Sequence, residues 1–231
     1  MNQLSLNLVA ISVFVMTMSV LLGPLIHLSP IVPAIVAASG LGVAAVDTLG
    51  WQGQGSILLL DWLAGFSAAY RSRVVRHEAG HFLVAHLLAI PVTGYTLTAW
   101  QAFRQGYPGQ AGVRFDIQEL EAELRRGSLS TQLLDRYCTV WQAGAAAESL
   151  VYGSVEGGAD DRQKLQAVLA QLQIPPTERQ QKERLAALKA KTLLQAHWST
   201  YESLVAALER GAAIDECYQA LTEAAVDLSE K

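Results

Sequence analysis

The strongest chemical signal in the chain lies in five consecutive residues, His77-Glu78-Ala79-Gly80-His81. On a helix, positions i and i+4 share a face, so His77 and His81 can present two imidazole nitrogens to one cation. Glu78 follows the first of them directly and sits beside that cation, placed to take a proton from a water bound there. Zinc is the cation this arrangement implies: it brings the pKa of its water to about 7 and polarises a carbonyl, generating a nucleophile at neutral pH.

The spacing is the HExxH arrangement of zinc proteases. Its plain alternative is a chance pattern in a helical protein; against that, Val75, Phe82, Leu83 and Leu87 give the motif's helix an apolar face for a core. Gly80 argues for a built site, because glycine inside a helix costs about 1 kcal/mol against alanine and so implies a close approach by a neighbour. Catalytic zinc usually takes three protein ligands and leaves a position for water. His86 is rotated from His81 by about 140° on an ideal helix and points elsewhere. The metzincin continuation fails, with Val84 at its glycine and Leu87 at its third histidine. Glu148, Asp160 and Asp161 remain as third-ligand candidates.

The elements that must position these residues follow an uncharged N-terminus. Of 231 residues, 51% are hydrophobic, and no Asp, Glu, Lys or Arg precedes Asp47. One membrane-spanning helix needs roughly 20 apolar residues. Leu4 to Ile26 supplies one, and Ile31 to Leu49, after Pro30, supplies a second whose Gly40 and Gly42 suit close helix packing. A transmembrane hairpin over residues 1–50 is the preferred reading; a single span with an interfacial segment, or a soluble core helix for the second run, are its alternatives. A cleavable signal peptide fits less well, because no basic residue precedes a run that is already too long. Residues 51–70 read as an interfacial linker, with Trp51 and Trp62 suited to the membrane surface, although Ser56 to Phe66 packing on the following domain accounts for them equally well. Arg71, Arg73 and Arg76, the first positive charges, put the domain on the cytoplasmic face or its stromal or matrix equivalent.

Residues 71–231 read as a mainly helical domain with a small β-sheet: a helix over Arg71 to Ala89, strands at Val92 to Ala99 and Ala111 to Phe115, and a turn at Gly106, Pro108 and Gly109 between them. Helices follow at Ile117 to Arg126, behind Asp116, and at Ser130 to Tyr152. A break at Gly153 to Gly158 precedes a helix near Asp160, Ile174 to Glu178 ends it, and one or two more helices span Glu183 to Leu228 with a break at Gly211. The net charge of −4 and the lack of a basic face exclude a nucleic-acid partner. Cys138 and Cys217 fit no ligand pattern and read as buried apolar residues.

Three stretches, HEAGH at 77–81, AGAAAESLVYG at 143–153 and GGADD at 157–161, resemble the peptidase domain of the FtsH family of membrane-bound zinc proteases. The resemblance implies an FtsH-like helical zincin fold, Asp161 as third zinc ligand, Glu78 as general base, and Glu148 near the site without ligating. It also implies a short sheet beside the cleft, where an edge strand could hold an extended peptide. Departures are equally plain: Ala145 stands where the family has Arg, the loop before Asp161 is short, and no GxxxxGK[ST] pattern for an AAA+ ATPase occurs. The expectation is therefore a stand-alone, ATP-independent metalloendopeptidase acting on membrane-associated proteins or peptides. Such substrates are either flexible already or delivered by a separate ATPase, and a homo-oligomer is in keeping with the family. A zinc-stabilised, non-proteolytic assembly protein is the alternative. A site-2-type intramembrane protease fits poorly, because the arginines crowd the start of the HExxH helix.

Overall fold

The computed structural model of the protein describes residues 3–51, 53–107, 111–127 and 129–229. The chain is mainly helical and folds as two compact units, residues 1–67 with 98–111, and residues 68–97 with 112–231.

The first unit contains α1 (Gln3–Leu22), a 3-10 turn (Gly23–Ile26), α2 (Ile31–Gly50), α3 (Gln54–Ala64) and α5 (Ala99–Arg104). The windows Val9–Ile26 and Ile31–Gly50 are each long and apolar enough to cross a membrane, and only 6% and 11% of them are buried. So little burial does not suit a soluble core helix, the bland reading of the second segment. Among the described residues, a methyl group placed on Gly40 or Gly42 would meet nothing within 4 Å. The α2–α3 turn is tied by Asp47, whose carboxylate accepts from the amides of Gly55 and Ser56 at 2.7 and 2.9 Å.

The expected strand from Val92 to Ala99 ends early, and α5 begins where its last residue would stand. Thr98 caps α5 by accepting from the Gln101 amide at 3.1 Å, and the Asp61 carboxylate accepts from the Ala99 amide at 2.8 Å. Residues 98–111 therefore group with the N-terminal unit, whereas their place in the sequence suggests the second domain. Of the expected turn residues, Pro108 and Gly109 lie outside the described residues.

The second unit contains α4 (Ala68–Leu87), β1 (Val92–Thr96), β2 (Gly112–Phe115), α6 (Gln118–Arg125), α7 (Thr131–Tyr152), α8 (Ala159–Gln171), α9 (Pro176–Ala196), α10 (Trp198–Glu209) and α11 (Ile214–Ser229). Helix α4 starts three residues before the expected Arg71, so the proposed linker over 51–70 is mostly helical. The C-terminal region breaks at His197 as well as near Gly211, giving α9, α10 and α11 in place of one or two helices. Strands β1 and β2 pair antiparallel, with a register shift between Val92 and Gly94.

Helix α7 packs against α4 and α9, and Phe82, Leu83, Leu165, Leu194, Tyr201 and Leu204 are all buried around them. Burying such side chains contributes about 1.5–3 kcal/mol each, which holds the helices of this unit together. Gly80 lets the two approach. A Cβ there would lie 2.7 Å from the Ala143 carbonyl oxygen and 2.8 Å from the Ala147 methyl. The close approach expected from the sequence is thus made by α7. Both cysteines are buried and free.

Candidate metal centre

Helix α4 carries His77, Glu78 and His81 into this buried seam. Helical spacing aims both imidazoles at one point, with their Nε2 atoms 3.1 Å apart. Asp161, in the first turn of α8, brings Oδ2 to 3.6 Å from His77 Nε2 and 3.2 Å from His81 Nε2. Among the described residues these three form the group able to hold a metal ion. A tetrahedral ion with bonds of about 2.0–2.2 Å separates its donors by roughly 3.3–3.6 Å, close to the spacings found here.

The hydrogen bonds behind the two histidines fix which nitrogens face the cluster. His81 Nδ1 lies 2.8 Å from the Val140 carbonyl oxygen, and His77 Nδ1 lies 2.6 Å from Glu148 Oε1. A carbonyl and a carboxylate only accept, so both Nδ1 atoms carry the hydrogen and both Nε2 atoms turn lone pairs inward. In the neutral rings two lone pairs and the Asp161 carboxylate then converge, which is repulsive until protons on Nε2 or a metal cation join them. A histidine that donates its second nitrogen to a carboxylate or carbonyl is the usual arrangement of a metal-ligating imidazole.

Glu148 is itself held on every side. Oε1 accepts also from the Gly157 amide at 3.1 Å, and Oε2 accepts from the Glu156 amide and from Arg73 Nη1, both at 2.8 Å. Burial would raise its pKa. The hydrogen bonds from His77, the Glu156 amide and Arg73 prevail and hold it down to about 2. Arg73 in turn reaches Glu156 at 3.0 Å and lies 4.3 Å above the Tyr152 ring. Burial likewise opposes a charge on His77, but the Asp161 and Glu148 acceptors outweigh it and push its pKa up to about 10. Burial also works against ionisation of Asp161. The charge of His81 and hydrogen bonds with both histidines win, and its carboxyl stays far below the usual range.

Local sequence explains how the pieces meet. Gly153 ends α7 in the left-handed region at φ 70°, and the short loop that follows wraps its amides around Glu148 before α8 starts. Asp161 falls on the inner side of that first turn, with Oδ1 accepting from Lys164 at 3.1 Å and Oδ2 left toward the histidines. Asp160, one residue earlier, is exposed and outside the cluster. Gly144 on α7 faces the His77 ring so closely that any Cβ there would overlap it.

Glu78 is buried, and its Oε2 accepts from the Val113 amide of β2 at 2.8 Å. Phe115 of the same strand sets its ring edge-on to His81, with centroids 6.4 Å apart. His86 is exposed and packs against Tyr218, away from the cluster, as its rotation requires.

By sequence Arg73 is only a topological charge, and nothing in it marks Val113 or Val140. Arg76 is likewise engaged inside the unit, pairing with Glu202 at 2.8 Å. No five-residue pattern marks a backbone amide or carbonyl that becomes a partner only when two helices cross.

Comparison of the chain with protein-family models and with curated proteins finds no match.

Proposed function

We propose that this chain is a membrane-anchored zinc metalloendopeptidase, resembling the FtsH peptidase domain in its site. Its catalytic domain is assigned to the cytoplasmic face or the organellar equivalent. The observation that carries the reading is the convergence of His77, His81 and Asp161, at spacings close to those of a tetrahedral ion, with the buried Glu78 on the same helix as the two histidines. Two imidazoles and one carboxylate are a ligand set of hydrolytic zinc sites. Bound there, zinc supplies Lewis acidity to the scissile carbonyl and lowers the pKa of water to about 7.

The chain's own residues supply the rest. Glu78 accepts the proton of the attacking water and passes it to the leaving amine. The Val113 amide fixes the Glu78 carboxylate through one oxygen and leaves the other for this work. His77 is held in its ligating tautomer by Glu148, and Glu148 by Arg73.

Strand β2 supports a peptide substrate. The amide of Gly112 and the carbonyl of Arg114 meet Thr96 and Thr93 on β1, and the Asp116 amide meets the Pro91 carbonyl. By alternation, Val113 and Phe115 direct their backbone groups away from β1. With the Val113 amide taken by Glu78, the Val113 carbonyl and the Phe115 backbone groups are what that edge offers an extended peptide for pairing.

The test uses full-length protein, loaded with zinc, and a flexible protein substrate without nucleotide. Glu78→Gln should reduce cleavage about 10²–10⁴-fold, the usual contribution of a general base, while zinc content stays at the wild-type level. Wild-type cleavage by a clean Glu78→Gln preparation overturns the reading.

A further inference from the structure

The surface of the first unit is nearly devoid of charge. Across residues 1–67 and 98–111 the sequence carries three formal charges, Asp47, Asp61 and Arg104. Two of these are turned onto backbone amides, Asp47 at the start of α3 and Asp61 at the start of α5.

What the unit exposes instead is aromatic and aliphatic. On α3, Leu59 and Trp62, followed by Phe66 just past its end, are 56%, 61% and 68% exposed at helical spacing. Trp62 and Phe66 meet edge-to-face with centroids 4.8 Å apart. On α5, Trp100 and Phe103 are 57% and 48% exposed, and their rings stack at 5.8 Å. Helix α5 packs on α3, and α3 packs on α1 and α2. The other side of α3 is also apolar, with Ile57, Leu58 and Leu63 half-buried.

We propose that α3 and α5 form one membrane-interface platform, whose occupant is the lipid bilayer crossed by α1 and α2. The inference rests on the membrane-anchored part of the proposed function and extends it to residues far from the anchor in sequence. A helix apolar on all sides belongs in a protein core or a membrane, and α3 presents its outer stripe to neither in the protein alone. Indole and phenyl rings favour the headgroup level, where an amphipathic element sinks about 5–10 Å. Arg104, at the C-terminal end of α5, can extend its head to water while its stem stays with the rings. A protein partner is the weaker fit, because protein interfaces surround their apolar centre with a polar rim, and this unit has few charges with which to build one.

Helix α5 is the connection between β1 and β2. A bilayer that holds α5 therefore tethers both strands through the chain itself, including the strand whose amide binds Glu78.

The proposal is tested on the full-length protein in phosphatidylcholine–phosphatidylglycerol vesicles, by nitroxide labels and their collisions with oxygen and with an aqueous nickel chelate. Cys138 and Cys217 are 1% and 0% exposed, so the label attaches at an introduced cysteine. Phe103→Cys reports on α5, Val15→Cys on α1, and Leu185→Cys on α9 serves as the exposed control. The expected result is loss of most nickel collisions at position 103 relative to position 185, with oxygen collisions retained. Nickel access at 103 equal to that at 185, with position 15 shielded, overturns the platform and leaves the anchor standing. Nickel access at both 103 and 15 removes the anchor and the platform together. Shielding of position 103 from oxygen as well as nickel overturns the proposal in favour of a protein partner, including a second copy.

Discussion

Glu148 Oε1 lies 2.6 Å from His77 Nδ1, joining residues 71 positions apart. The contact makes the HExxH helix part of a larger unit, in which α7 and the following loop determine what α4 can bind. Arg73, one turn before His77 on α4, closes the circuit by holding the other oxygen of Glu148.

Glu148→Gln should therefore weaken zinc binding without touching a ligand. Glutamine keeps the shape but loses the charge that anchors Arg73 and supports the His77 tautomer. Loss of such a partner costs about 10–100-fold in metal affinity, read by competition with a chromophoric chelator. Unchanged affinity, with normal thermal unfolding, would show that Glu148 does not position His77.

The two neighbouring aspartates should behave oppositely. Asp161→Asn removes the only carboxylate among the three converging donors and should abolish stoichiometric zinc retention after dialysis. Asp160→Asn alters an exposed side chain outside the cluster and should retain zinc as the wild type does. Equal zinc content in both variants would place the third ligand elsewhere.

Helix crossing makes two glycines intolerant of even a methyl group. Gly144→Ala drives Cβ into the His77 ring, and Gly80→Ala drives it against the Ala143 carbonyl. Overpacking of this kind costs about 1–3 kcal/mol, measured by denaturant unfolding. The two should separate in metal binding, because of this pair it is Gly144 that faces the His77 ring. A Gly144→Ala protein with wild-type zinc affinity would mean that the ring has room to move.

Protons and metal should compete for the same place. In the metal-free protein the His77 pKa rises from 6.5 to about 10. A group whose folded pKa is raised contributes stability that is fully present below the unfolded value and is lost as pH climbs through the folded one. Metal-free protein should thus lose thermal stability between pH 6.5 and 10, whereas zinc-loaded protein needs His77 unprotonated and should not. The difference in Tm with and without zinc should grow with pH across that window. A difference that shrinks would contradict the shared site.

Much of the site is legible without coordinates because helical periodicity is local. The spacing of His77 and His81, the glutamate between them and the cost of Gly80 all follow from α4 itself. The two apolar runs before Asp47 are equally local, being matters of length and composition. Asp161, Asp160 and Glu148 are another matter. Spacing alone leaves all three open, since each depends on how α7, the loop after Gly153 and the first turn of α8 return to α4.

Tertiary structure also overrules propensity at Ala99, where caps from Thr98 and Asp61 begin a helix in a segment rich in strand-forming residues. It turns Arg73 and Arg76, which the sequence marks only as topological charges, into ion-pair partners of Glu148 and Glu202. The sequence by itself determined the chemistry that two histidines and a glutamate on one helix can perform. The fold decided which carboxylate joins them, which residue orients them and which unit residues 98–111 join. Those depend on contacts between distant segments, created by burying apolar faces together, and no local pattern records them.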